Sequence, residues 1–319
     1  MKILVVSYFF PPANVIGAVR VGKFVKFLIE RGHEVRVITT KDDNFPQNLY
    51  EVFPEDVVHY SKGFRINNLP VKFFRLFKKM KESEDSVPSN AKLFRILSYI
   101  YRMLFNFPDG QVGWFRGAVA KSEKIIQEWK PEIIFGSATP FTSLLICAKL
   151  SVKHKIPYVA ELRDLWTDNH YYDFPKWRRI IEERLEKRTL EEAKAFVTVS
   201  DDLADTLRQK YGISTQVTLN GYDPLDISKV QAATTRSDKI IRIVYTGIIY
   251  PDLRDPSALF EALQNMGEEK NNFCVEFYGR RLGGLTSLAK KYNVTKVVKI
   301  FGQVSYEESL KLQSQADIL

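Results

Sequence analysis

Three clusters of residues have the types and spacing to handle an anion. Pro11 to Phe24 reads PPANVIGAVRVGKF, where Gly17-x-x-x-x-Gly22-Lys23 follows the phosphate-loop pattern until Phe24 replaces the hydroxyl that would hold magnesium. A phosphate loop places its first glycine directly after a strand, whereas Tyr8 and Gly17 are well separated here. A triphosphatase is therefore disfavoured, and Gly22 and Lys23 read as ordinary helix surface. Gly17 keeps a meaning of its own, because a glycine at a helix mouth lets a ligand approach N–H groups at the positive end of the dipole. The alternative is a glycine that merely permits a turn after Pro11-Pro12. In the centre, Arg163 and Asp164 of Glu161-Leu162-Arg163-Asp164-Leu165-Trp166 follow a predicted strand. They are either a guanidinium for phosphate beside a carboxylate for hydroxyls, or a structural ion pair near Trp166. Gly279, Arg280 and Arg281 close a later strand, to meet phosphates or as solvated cations.

The elements that must position these groups alternate between strand and helix. Ile3 to Ser7 is an apolar run of the kind buried on both faces of a parallel sheet. Val21, Phe24, Val25 and Leu28 then fall at helical spacing, Gly32 ends that helix, and Glu34 to Thr39 returns as a strand. Similar units follow: strands at 131–136, 156–161 and 195–199 with a helix over 140–154, then a last strand at 217–221. The pattern predicts an α/β, doubly wound parallel sheet. Residues 223–239 are polar and read as a linker. A second series has strands at 241–246, 273–278 and 297–301 and helices near 256–266, 284–292 and 305–315. Ala316 to Leu319 resembles the opening of a fourth strand, which implies that the natural protein continues. The domains expected are 1–222, a linker at 223–239, and a partial second domain at 240–319.

The 319 residues fit two cores better than one, and a net charge of +9 favours anionic partners. Cys147 and Cys274 are far apart in apolar settings, which suggests buried thiols in a reducing compartment. No uncharged run reaches the roughly 18 to 20 residues of a membrane span, and the start lacks a cleavage site. No His or Cys cluster has metal spacing, so no metal is expected.

The stretches SYFFPPANVIGAVR, VAELRDLW, VTVSDDLADTLRQKYG, VTLNGYDP and YTGIIYPDLRDPSALFEAL resemble, in this order, the family-4 glycosyltransferases over nearly the whole chain. The resemblance implies the GT-B fold, two Rossmann-like domains facing a cleft, with the acceptor on the first and a nucleotide-sugar donor on the second. It implies a retaining transfer from a UDP- or GDP-linked sugar to a saccharide or polyprenyl-diphosphate-linked acceptor in surface polysaccharide assembly. The donor is a substrate and no cofactor is implied. Gly17 matches the donor-phosphate position by place, although Ile16 and Ala18 stand where relatives often have a further glycine. Arg163 and Asp164 are the catalytic candidates. Gly247, Arg254, Gly279 and Arg280 are the remaining donor-binding candidates, with Ile248 in place of the usual Arg. Gly136 to Pro140 lacks the histidine many relatives carry, and the acidic Glu-x-x-x-x-x-x-x-Glu motif would lie beyond Leu319.

Residues 71–80 and 91–107 are basic and aromatic-rich, and 91–107 has no acidic side chain. Such a helix suits the surface of an anionic membrane, here around 71–107 on the cytoplasmic face, or else packs on the domain. A non-catalytic nucleotide-sugar-binding or scaffold protein is the alternative to an enzyme. Nucleic acid is not an expected partner, since the cations are spread and no reading module is present.

Overall fold

The computed structural model describes residues 1–63, 91–230, 240–249, 254–280 and 282–319. The chain divides into two compact units, Met1–Asn220 and Gly221–Leu319.

The first unit runs β1 (Lys2–Val6), α1 (Ile16–Glu30), β2 (Glu34–Thr39), β3 (Val58–Tyr60), α2 (Ala91–Phe105), α3 (Phe115–Trp129) and β4 (Ile133–Ala138). It continues with α4 (Thr142–His154), β5 (Tyr158–Leu162), α5 (Lys176–Leu190), β6 (Ala195–Thr198), α6 (Asp201–Tyr211) and β7 (Thr215–Val217). The strands pair in parallel in the order β3-β2-β1-β4-β5-β6-β7. Chain order reverses between β1 and β4, which opens a crevice at their carboxyl ends. The apolar runs are continuous because each strand feeds two cores. Leu4 and Val6 join Ile134, Leu162 and Phe196 on one face, while Ile3 and Val5 join Val21, Val25 and Val37 on the other.

Several readings change. β7 lies at Thr215–Val217 instead of 217–221, and β3 is too short to have a periodicity. Gly22 is not helix surface: it is buried, and a Cβ there would sit 2.7 Å from Cγ of Pro11. Lys23 is mostly covered and pairs with Glu51 at 2.9 Å. Cys147 is buried but Cys274 only half so.

The second unit contains α7 (Pro224–Val230), β8 (Ile241–Ile248), α8 (Ser257–Asn265), β9 (Phe273–Arg280), α9 (Gly283–Lys291), β10 (Val298–Ile300) and α10 (Tyr306–Ser314). Its parallel sheet has the order β10-β9-β8 around Phe260, Val275, Phe277 and Leu285. Ile318 bridges Ile243 in parallel on the free side of β8, where a further strand was read. α7 falls inside the stretch read as a linker and packs on α10; residues 231–239 lie outside the described residues.

One buried cation fastens α2. Arg178 of α5 is fully enclosed, pairs with Glu182 at 2.6 Å, and donates to the carbonyls of Arg102 and Met103, each at 2.8 Å, and to that of Asn106. These carbonyls lie at and just past the carboxyl end of α2, where that of Arg102 also accepts from the Asn106 N–H at 3.1 Å, and Phe174 stacks on the guanidinium with 3.6 Å to its ring centroid. Burial pushes the Glu182 carboxyl up while Arg178 pulls it down. Arg178→Ala should cost about 3–5 kcal/mol in urea unfolding, because Glu182 is left charged and enclosed. The double variant Arg178→Met, Glu182→Leu should recover only the part of that loss due to the stranded carboxylate, since the carbonyls of Arg102, Met103 and Asn106 stay without their donor.

Candidate functional site

The site in the first unit begins with a loop that has little freedom. Between β1 and α1, Tyr8 donates its hydroxyl to Asp42 at 3.0 Å. The Asn14 N–H meets the Pro46 carbonyl at 2.7 Å, and Leu49 N–H meets that of Pro12 at 3.0 Å. The loop delivers the chain into α1 at Val15, whose extended backbone caps the helix with no side-chain bond, and the first turn holds no acidic residue. The amino end of α1 is therefore a bare, positive helix terminus.

Arg163 faces that terminus. Its Nε donates to the Ala138 carbonyl at 2.8 Å and its Nη2 to that of Thr139 at 3.3 Å, so the side chain leaves the end of β5, crosses the end of β4 and reaches α1. A Cβ on Gly17 would lie 3.0 Å from Nη1 and 3.2 Å from Nη2. Gly17 thus keeps open the space in which the guanidinium lies beside backbone N–H groups. Burial lowers the Arg163 pKa from its ordinary value, Glu161 and Asp164 raise it, and Arg20 lowers it further; a guanidinium remains charged throughout. The bonds of Arg163 go to carbonyls and not to Asp164, which is exposed, so the structural ion pair considered from sequence is not what holds this arginine.

The neighbouring helix shows the contrast. At α4 the amino terminus is already filled, with Asp109 accepting from the Thr142 N–H at 2.9 Å and its hydroxyl at 2.7 Å. Burial raises the Asp109 pKa and the bonds from Thr142 oppose that rise. Of α1 and α4, the helices that follow the two central strands β1 and β4, only α4 has a carboxylate at its amino end.

In the second unit, Gly247 and Gly279 are register partners across β8 and β9. Gly279 has φ 148°, and a Cβ on it would fall 1.8 Å from the Gly247 carbonyl oxygen, so the close approach of two strands already accounts for this glycine. Arg254 donates to the Tyr245 hydroxyl at 3.2 Å, and that hydroxyl donates to the Ile248 carbonyl at 3.0 Å. Arg280 is exposed at the end of β9; Arg281 lies outside the described residues. α9 then starts at Gly283-Gly284 with neither a side-chain cap nor an acidic first turn, a second bare terminus. Among the described residues no group of three His, Cys, Asp or Glu is placed to hold a metal.

Sequence comparison supplies the family. The profile of Glycosyltransferase Family 4 matches residues 17–224, well over half of the chain. The chain belongs to glycosyltransferase family 4. It is accordingly a glycosyltransferase, and its two parallel-sheet units are those of the GT-B fold. Among solved structures, sucrose-phosphate synthase from Thermosynechococcus elongatus is 14% identical with a TM-score of 0.61, covering 99% of this chain and 74% of that one. WaaG, a glycosyltransferase involved in lipopolysaccharide biosynthesis, is 12% identical with a TM-score of 0.56, over 99% and 73%. The UDP-GlcNAc 2-epimerase of Neisseria meningitidis, bound to UDP-GlcNAc, is 12% identical with a TM-score of 0.55, over 99% and 76%. No curated protein sequence matches the chain.

In this family-4 chain the residue that sequence reasoning missed is Arg20. It lies one turn after Gly17, on the same side of α1. Its Nε donates to Oε1 of Glu161 at 2.8 Å, its Nη1 to the Leu219 carbonyl and Asn220 Oδ1, each at 3.1 Å, and its Nη2 to the Thr218 carbonyl at 3.0 Å. Glu161, buried at the end of β5, takes its second bond from the Ser137 hydroxyl at 2.5 Å. The basic type and the spacing from Gly17 were visible; the buried carboxylate that needs it was not. Arg20→Ala should cost about 3–5 kcal/mol by urea unfolding, since a buried pair is broken from one side. Gly17→Ala should behave oppositely, unfolding no more easily, because alanine favours a helix by roughly 0.5–1 kcal/mol, yet displacing Arg163 and lowering turnover.

Proposed function

We propose that this glycosyltransferase moves a sugar, with retention at the anomeric carbon, from a UDP- or GDP-linked donor to a lipid-linked saccharide at the cytoplasmic face of a membrane. The observation that carries the reading is the contact of Arg163 with the Gly17 end of α1, where N–H dipoles and a partly dehydrated guanidinium converge on one point. That arrangement suits a diphosphate whose negative charge grows as it leaves. In the step envisaged, the acceptor oxygen bonds to the anomeric carbon on the face from which the diphosphate departs. The bond from that carbon to the diphosphate oxygen breaks, and the acceptor proton passes to a leaving phosphate oxygen. Such a step calls for cations and dipoles in preference to a strong base, and needs no metal. Asp164, exposed beside Arg163, is available to a sugar hydroxyl. Gly247, Arg254, Gly279 and Arg280, with the α9 terminus, are assigned to the donor nucleotide; the UDP-GlcNAc bound to the Neisseria epimerase and the lipopolysaccharide role of WaaG support a nucleotide-sugar substrate.

For the membrane, α2 carries the exposed apolar row Ile96, Leu97, Ile100 and Leu104, and its basic residues have no acidic neighbours within the helix. Residues 71–90 lie outside the described residues. No helix among the described residues is long and apolar enough to cross a membrane, so contact would be peripheral.

The test is incubation of the protein with UDP- and GDP-sugars and a polyprenyl-diphosphate-linked sugar, following nucleotide release and the anomeric configuration of the product. One donor should turn over with retention, and Arg163→Ala, checked to be folded by circular dichroism, should lower kcat by about a hundredfold or more. Inversion would overturn the mechanism. Donor binding by calorimetry without turnover would favour a scaffold role, and no binding at all would remove the donor assignment.

A further inference from the structure

α5 is built inside out. Its inward positions Arg178, Glu182 and Glu186 are charged and 0%, 2% and 2% exposed, whereas Trp177, Ile180 and Ile181 are 47%, 49% and 44% exposed. At 3.6 residues per turn, Trp177, Ile180, Ile181, Arg184 and Arg188 share the side opposite the buried charges. The inward charges are satisfied: Glu182 by Arg178, and Glu186 by Lys210 at 3.1 Å and by the hydroxyl of Tyr211 at 2.9 Å. The helix therefore has no need of water on its polar side and shows water its apolar side. Each large apolar side chain left half-exposed forgoes a good part of the roughly 1.5–3 kcal/mol that full burial provides. A face so arranged gains on meeting an apolar layer.

Charge says which layer. Arg184 and Arg188 flank the apolar row and are exposed, while the one acidic residue of α5 that is not buried, Glu183, is paired with Arg179 at 3.0 Å. At the end of the helix the exposed Glu191 is paired with Lys187 at 3.5 Å, and from Trp177 to Arg188 the outward surface is apolar, aromatic and cationic, the chemistry of a helix lying in the headgroup region of an anionic bilayer. A second copy of the same face would bring like charges together. α5 is also fixed to α2, through Arg178 and through Tyr99, whose hydroxyl donates to the Asp173 carbonyl at 3.2 Å while its ring stacks on Phe174.

We propose that α5 is a second membrane-seated helix, with Trp177, Ile180 and Ile181 entering the interface of an anionic bilayer and Arg184 and Arg188 meeting lipid phosphates. The inference rests on the membrane reading of α2 and extends it from one helix to a locked pair. The experiment uses the full chain with vesicles of phosphatidylglycerol and phosphatidylcholine, or phosphatidylcholine alone, in a co-sedimentation assay. Two surface variants are compared after circular dichroism shows both folded: Trp177→Ser, Ile180→Ser, Ile181→Ser in α5, and Ile96→Ser, Ile100→Ser, Leu104→Ser in α2. Binding should require the anionic lipid, and the α5 variant should weaken it roughly tenfold or more. Trp177 emission should shift to the blue on vesicle addition, a shift missing in Trp177→Phe. If the α2 variant loses binding and the α5 variant does not, the inference fails and the α2 reading stands. If the unaltered chain ignores anionic vesicles, both fail. If sedimentation shows a dimer that the α5 variant dissolves, with no vesicle binding, the face is a self-association surface and the inference is overturned.

Discussion

A carboxylate enclosed at the end of a central strand is a costly object, and the geometry of the first unit follows from how Glu161 is answered. One oxygen takes the Arg20 guanidinium and the other the Ser137 hydroxyl. The rest of that guanidinium is committed to Thr218, Leu219 and Asn220. A single ion pair therefore sets α1 against the ends of β4 and β5 and against the last residues of the unit. With α1 held there, Gly17 has one neighbour it cannot avoid, Arg163. Removing the carboxylate would free Arg20, and α1 would lose what sets its amino end beside Arg163.

Electrostatics in the unit is divided by position. The α4 terminus is neutralised internally by Asp109, whereas α1 and, in the second unit, α9 start without a carboxylate. Dipoles fixed in advance cost no rearrangement when charge develops, which is what the proposed function would ask of these two uncapped termini. Elsewhere in the unit, cations are turned inward, onto Glu161, Glu182 and Glu186.

Much of the fold was legible in the sequence because parallel strands buried on two faces appear as uninterrupted apolar runs, and Ile3 to Val6 or Ile133 to Phe135 cannot be much else. What local pattern could not reveal was decided by distant groups. Gly22 looked like solvent-facing helix until Pro11 is placed against it. Residues 218–220 continued the β pattern of Val217, yet the carbonyls of Thr218 and Leu219 and the side-chain Oδ1 of Asn220 accept from Arg20. Within the site, Gly17 and Arg163 were each recognisable, one as a helix-mouth glycine and one as a cation after a strand. That they touch is a property of the β1 to β5 arrangement. Gly279 shows the reverse, a glycine with a ligand-like setting whose absence of a side chain is required by Gly247 across the ladder.

The anchorage of α2 has an evolutionary side. Arg178 grips main-chain carbonyls at the helix end, of Arg102, Met103 and Asn106, and so recognises the backbone and no particular side chain. The outward residues of α2 are thereby released from the task of docking their own helix. Such a surface can change in composition while the scaffold beneath stays the same, as long as Arg178 and Glu182 are kept.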